Sequence, residues 1–300
     1  MTKKQKKQLV TYIFIFIAAV IYVISEKAGR SAILDTPSDD VTYNYVHFID
    51  AGQGDCTLIE TYDGRFALID TSTDVEKYKV ISYLENRGVE ELEYVIFTHP
   101  HEDHIGGGND IINRFIVKNV CMTDKTEPSS CYKNLIKSIS DSKKKNDTKV
   151  FKPETGDIFT LGDIEFLIIS DGKKYFDNTN NSSICLKMEL GKSTFLFTGD
   201  AEKEVEYDLL DTSFSLDAEV YKCAHHGSTT SNSEDFLDAV SPDISIISCG
   251  LDNDYGHPHD EIIETFINRG ITYRRTDLDG NTVIAFNEDE IVLTDSSLQA

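Results

Sequence analysis

The sequence predicts a mixed α and β fold: two mixed sheets packed face to face with helices outside, a four-layer αββα sandwich, preceded by a transmembrane helix. Three observations lead there. The chain divides into two halves, each with several short strand-like runs closed by a helix-like segment, and such elements bury their apolar faces by layering. In both halves apolar runs end in polar clusters, as buried strands do when they deliver side chains at their ends. Ahead of both, Leu9 to Ser25 holds no charge and follows Lys3, Lys4, Lys6 and Lys7.

Taken in order, Leu9–Ser25 would span about 25 Å as a helix, the short end of what crosses a bilayer. The lysines before it place the N-terminus in the cytoplasm by the positive-inside bias, leaving the remainder outside the cell. A cleaved signal peptide, and so a secreted protein, is the alternative. Against it, the run is longer than usual and Glu26, Lys27 and Arg30 interrupt any small-x-small site. Residues 1–27 are therefore read as a basic cluster and membrane anchor, 28–42 as a polar linker and 43–300 as one globular domain.

Within the domain, Tyr45–Ile49, Cys56–Glu60 and Phe66–Ile69 read as strands separated by turn residues. Asp74–Asn86 carries apolar residues at helical spacing and stops at Arg87-Gly88. Strand Tyr94–Phe97 follows, then a short helix at Ile111–Phe115, strand Val117–Cys121, and a helix over Tyr132–Ile139 fading into polar Ser140–Asp147. The second half gives strands at Ile158–Thr160, Ile164–Ile169, Ile184–Leu190 and Phe195–Phe197, a helix at Glu202–Leu210 and a strand at Asp217–Ala224. Helix 235–240, strand 244–248 and helix 260–268 precede final strands Thr272–Arg275, Thr282–Phe286 and Ile291–Leu293.

Lys+Arg 29 against Asp+Glu 52 gives a net charge of −23, and residues 31–300 carry 23 cations against 51 acids, or −28. Such a surface repels phosphate backbones, so a nucleic-acid substrate needs local cations or metal ions. The six cysteines form no CxxC pair; Cys56, Cys185, Cys223 and Cys249 read as core residues, and only Cys121 and Cys131 are close enough to suggest a disulfide.

Seven of the eight histidines fall in three groups: His99, His101 and His104; His225 and His226; His257 and His259. Thr98-His99-Pro100-His101-Glu102-Asp103-His104 follows an apolar strand. Alternate residues of an extended chain point the same way, so His99 and His101 converge, and Asp103 and His104 offer a second cluster as the chain turns. Imidazoles and a carboxylate are the ligands of zinc and its transition-metal neighbours. Asp200 ends another apolar strand, where it reads as a metal ligand or a helix N-cap.

These residues resemble the HxHxDH signature of the metallo-β-lactamase superfamily. Further stretches are similar to its ComEC-like competence-protein branch: His47–Asp55 with its Gly-Gln-Gly-Asp turn, Asn180-Asn181-Ser182-Ser183, Thr198-Gly199-Asp200, Ala224-His225-His226-Gly227-Ser228 and Tyr255-Gly256-His257-Pro258-His259. The resemblance covers roughly residues 44–295 and implies the αββα fold and one or two divalent ions, Zn²⁺ or Mn²⁺. It assigns His99 and His101 to one metal, Asp103 and His104 to a second, Asp200 to both, and either His225 or His226 as the last ligand. Adjacent side chains on an extended strand diverge, which favours one of the pair, taken as His225. Asp70 matches a supporting aspartate. Most superfamily members have another histidine between the first cluster and the bridging aspartate; here none occurs from 105 to 224. The first site is thus a ligand short, unless water or an Asn carbonyl completes it, and suits a harder ion such as Mn²⁺.

The chemistry implied is hydrolysis by a metal-activated water, with Asp103 orienting it and His257 protonating a leaving group or gripping an anion. Gln53, Asp55, Asn180, Asn181, Ser183, His259 and Arg275 are candidate supporting or substrate-contacting residues. The leading function is phosphodiester hydrolysis, on DNA or another phosphodiester, outside the cell. A cell-wall or phospholipid esterase and a non-catalytic metal-binding module are the alternatives. No obligate protein partner is implied.

Overall fold

Strand periodicity builds two layers that face each other. The structure, a computed structural model, describes residues 41–294. The expected anchor over 1–27 lies outside the described residues, and among these no helix is long and apolar enough to cross a membrane. The first half contributes β1 (Asn44–Phe48), β2 (Thr57–Glu60), β3 (Phe66–Ile69), β4 (Glu91–Phe97), β5 (Ile116–Met122) and β6 (Lys149–Phe151). Its helices are α1 (Lys77–Asn86), α2 (Glu102–Ile105), α3 (Gly108–Arg114) and α4 (Ser130–Asn146). The second half adds β7 (Ile158–Leu161), β8 (Ile164–Ser170), β9 (Cys185–Leu190), β10 (Ser193–Phe197), β11 (Val220–Lys222) and β12 (Ile244–Ile247). Then come β13 (Thr272–Arg275), β14 (Thr282–Phe286) and β15 (Ile291–Leu293), with helices α5 (Lys203–Leu210), α6 (Glu234–Val240), α7 (Asp260–Arg269) and α8 (Thr276–Asp279).

One sheet has eight strands in the order β15-β14-β1-β2-β3-β4-β5-β6, the other seven in the order β13-β12-β11-β10-β9-β8-β7. Alternation along the strands makes the sandwich. On β10, Phe195 and Phe197 meet Phe48, Ile96 and Phe286 between the sheets, while Leu196 joins the outer layer of Val205, Phe236 and Phe266. On β4, Ile96 faces inward; Val95 and Phe97 pack against Leu84, Ile111 and Leu135 of the helices. The result is helix, sheet, sheet, helix.

The sheets do not follow the two sequence halves. β14 returns to pair antiparallel with β1, Val46 opposite Ile284, and brings β15 with it. A strand's apolar pattern states which faces are buried, not which neighbour it bonds. Helix α4 runs 17 residues, through the polar stretch where fading is expected. The Ser129 side chain caps its start by accepting the Tyr132 N–H, and Lys143, Lys144 and Lys145 sit in the last turn, where cations suit the carbonyl end. Cys121 and Cys131 form no disulfide: Cys121 lies in the core between the sheets, and Cys131 Sγ donates to the Ile105 carbonyl.

What matters for the site is direction. β3, β4 and β5 are parallel, as are β10, β11 and β12. The segments following β3, β4, β10, β11 and β12 supply most of the polar groups described next.

Candidate metal centre

Asp70 comes one residue after β3, in the left-handed region at φ 58°. Its carboxylate accepts the Thr98 N–H (2.8 Å), the Thr98 hydroxyl (2.7 Å) and His104 Nδ1–H (2.8 Å). With its Nδ1 proton committed there, His104 turns Nε2 towards Asp200 Oδ1, 3.2 Å away. Both atoms are buried and lack a hydrogen-bond partner. Two acceptors that close, sealed from water, require a proton or a cation between them.

Asp103, His104, Asp200 and His226 each offer a ligand atom to one cluster, and His99, His101 and Asp200 to another, with the atoms of each cluster within 4.8 Å of one another. Asp200 belongs to both. His99 Nδ1 lies 3.2 Å from Thr98 Oγ1, whose own proton goes to Asp70, so His99 donates there and Nε2 keeps its lone pair. That Nε2 is 3.1 Å from His101 Nδ1. The mixture of imidazole nitrogens and carboxylate oxygens fits a divalent transition ion at each cluster. Asp200 does not cap the next helix: Glu202 occupies the position before Lys203.

His225 and His226 do not lie on an extended strand. β11 stops at Lys222, and both histidines adopt left-handed backbone (φ 50° and 54°) in a tight turn closed by Gly227 at φ 82°. Two non-glycine residues in that region are strained, as functional sites often are. The turn sends His226, not His225, inward: His226 Nε2 is 3.2 Å from Asp103 and 3.6 Å from Asp200. Its Nδ1 donates to the Ser248 carbonyl at 3.0 Å, which leaves Nε2 free as a donor atom for metal. His225 is half-buried beside them, 3.8 Å from Asp200, with Nδ1 on the Thr230 hydroxyl at 2.9 Å.

Asp55, a supporting or substrate-contacting candidate from sequence, is placed to support rather than to touch substrate. It is buried behind His226, 3.3 Å from that Nδ1, and its other oxygen is 2.8 Å from Lys222 Nζ. Sequence reasoning missed Lys222; the available signal was a lysine inside the apolar run Val220–Ala224. Ser183 Oγ lies 3.3 Å from His99 Nδ1 and accepts the Asp200 N–H. Asn181 accepts the Glu202 N–H, while Asn180 leaves its buried Oδ1 without a partner in the cleft. Gln53 holds the Gly250 N–H and also lines this cleft, about 380 Å³ in volume. His257 lines it too; His259 instead accepts the Thr229 N–H and braces the histidine turn. Arg275 does not line it: its guanidinium is bound to Asp277.

The electrostatics separate the histidines. Burial alone would lower His226, but Asp200, Asp55 and Asp103 push it up to about 10. Burial works against His104 as well, and Asp200, Asp70 and Asp103 raise it well above the usual imidazole range. His99 is held well below that range by burial and by His104, and His257 falls to about 4 through burial and its histidine neighbours. Burial would raise Asp103 and Asp200, yet His104 and His226 hold both below the usual carboxylate range. The carboxylates are therefore ionised and available to cations.

A family model described as the metallo-beta-lactamase superfamily matches residues 49–251. The chain belongs to the metallo-beta-lactamase superfamily. Within it, the chain is 29% identical to ComE operon protein 3 of Bacillus subtilis (strain 168) over 254 residues, 78% of this chain and 32% of that protein. It is 30% identical to competence protein ComA of Neisseria gonorrhoeae over 233 residues, 77% of this chain and 30% of that one. The chain thus spans about a third of the length of these relatives. Two solved structures share the fold: the metallo-beta-lactamase fold protein YhfI from Bacillus subtilis (TM-score 0.55, 12% identity, 81% of this chain and 100% of that chain) and CmlA, a diiron β-hydroxylase from Streptomyces venezuelae (0.52, 14%, 84% and 55%).

Proposed function

We propose that this metallo-beta-lactamase-fold chain is a metal-dependent hydrolase of phosphodiester bonds, acting as a nuclease on single-stranded DNA. The observation that carries this reading is the pair of donor clusters sharing the buried Asp200. His99, His101 and Asp200 would hold one Zn²⁺ or Mn²⁺; Asp103, His104, His226 and Asp200 would hold the second. Such ions supply Lewis acidity and lower the pKa of water. The chain's own residues do the rest. Asp70 and the Ser248 carbonyl fix the tautomers of His104 and His226. Asp103, 29% exposed and lining the cleft, is placed to orient the attacking water. His257, neutral at pH 7, lacks the proton a general acid would need and is placed instead to hydrogen-bond a substrate oxygen. The similarity to competence proteins favours DNA over a cell-wall or phospholipid ester.

We place the domain outside the cell, tethered by residues 1–27. The test is a panel of substrates offered to the Mn²⁺- or Zn²⁺-loaded protein. Single-stranded DNA and bis-p-nitrophenyl phosphate should be cleaved, and a β-lactam and a thioester left largely intact. Binding of metal with no hydrolysis of any substrate would favour the non-catalytic module, and preferential carboxylic-ester cleavage the esterase.

A further inference from the structure

We propose that Tyr255 is a stacking platform for a nucleobase beside the metal centre, so that substrate is held by its bases more than by its phosphate backbone. This deepens the phosphodiesterase reading and rests on it. Tyr255 is 68% exposed yet lines the same cleft as His101, Asp103 and Asp200. Its ring lies 5.6 Å from that of His257 at 20°, and His257 lies 6.1 Å from His226 at 28°. Three near-parallel rings thus lead from the proposed metal ligand outward to solvent. An exposed aromatic ring in such a cleft offers area that only a ligand would cover.

The platform is built rather than loose. Asn253 Oδ1 accepts the N–H groups of Tyr255 (3.2 Å) and His257 (3.0 Å), and its Nδ2 donates to the carbonyls of Gly250 (2.8 Å) and His257 (2.6 Å). One side chain therefore ties both ends of the loop. From below, Pro258 packs so closely on Gly227 that a Cβ there would come within 2.5 Å of it. The aromatic loop and the histidine turn are locked together.

Charge points the same way. Among the described residues, no lysine or arginine lines the cleft, and residues 31–300 carry −28. Counterion release driven by lysine and arginine side chains, the usual source of nucleic-acid affinity, is thus missing from the cleft. Stacking of bases on aromatic rings needs no cation and tolerates any sequence.

The test compares two labelled phosphorothioate oligomers of equal length, one of thymidine nucleotides and one base-free, binding to metal-loaded protein. The wild type should bind the thymidine oligomer about 5- to 100-fold tighter. Tyr255→Ala should abolish that preference and Tyr255→Trp keep it, with unchanged circular dichroism in both. The logarithmic salt dependence should be shallow, a slope of about −1 or less steep. Equal binding of both oligomers by the wild type, or a full preference in Tyr255→Ala, overturns the proposal. So does loss of binding to phosphatidylglycerol vesicles in Tyr255→Ala without any base preference, which would assign the ring to lipid. Failure of the phosphodiesterase reading shows separately, as no cleavage of bis-p-nitrophenyl phosphate while the base preference persists.

Discussion

Lys222 Nζ lies 2.8 Å from Asp55 Oδ2, with both side chains almost wholly buried directly behind His226. A buried ion pair adds little net stability, because desolvation offsets its attraction, but removing one partner strands the other charge. Lys222→Met should therefore cost about 3–5 kcal/mol of unfolding free energy. Adding Asp55→Asn should restore most of it. Urea denaturation of the metal-free proteins measures both, and a single mutant as stable as wild type would show that Lys222 is not needed to hold the Asp55 charge, His226 sufficing.

Asp200 is the one residue common to both donor clusters. Metal content after dialysis should fall from two ions per chain to none in Asp200→Ala, and only to one in His101→Ala. Equal losses in the two variants would contradict the division into two sites.

Asp70 accepts three hydrogen bonds, one of them from His104 Nδ1. Asn in its place presents N–H groups to that ring and favours the wrong tautomer. Asp70→Asn should weaken metal binding by about 10- to 100-fold, read by competition with a chelating dye. Unchanged affinity would mean that the carboxylate does not orient His104.

Much of this site is legible in the sequence because its ligands follow apolar strands closely. His99, His101, Asp103 and His104 stand out from local pattern, whereas Asp200 reads equally as a helix N-cap until the family resemblance assigns it. The choice between His225 and His226 is not legible there, because it depends on two left-handed residues where an extended strand was the natural expectation. Asp55 and Lys222 are separated by more than half the chain and meet only through tertiary packing. The same holds for the fold: strand positions follow from alternation, whereas the return of β14 to β1 does not.

Metal uptake should release protons. His226 is raised to about 10 and His104 is raised well above its ordinary value, so both are protonated at pH 7.5 in the metal-free protein. Calorimetry in buffers of different ionisation enthalpy should show proton release, and metal affinity should climb with pH from about 5 to about 9. Stability of the metal-free protein should move the other way. A raised folded pKa contributes fully below the unfolded value of about 6.5 and is lost as pH rises towards the folded one. The metal-free Tm should thus fall between pH 7 and pH 9, while the loaded protein's stays nearly flat. Affinity independent of pH would rule out these histidines as ligands.

The central claim is that hydrolysis depends on ions held through Asp200. Metal-free wild type, titrated with Mn²⁺ while cleavage of bis-p-nitrophenyl phosphate is followed, should gain activity up to two ions per chain, and Asp200→Ala should gain none. Full wild-type activity in excess chelator, or equal activity in Asp200→Ala, would contradict it.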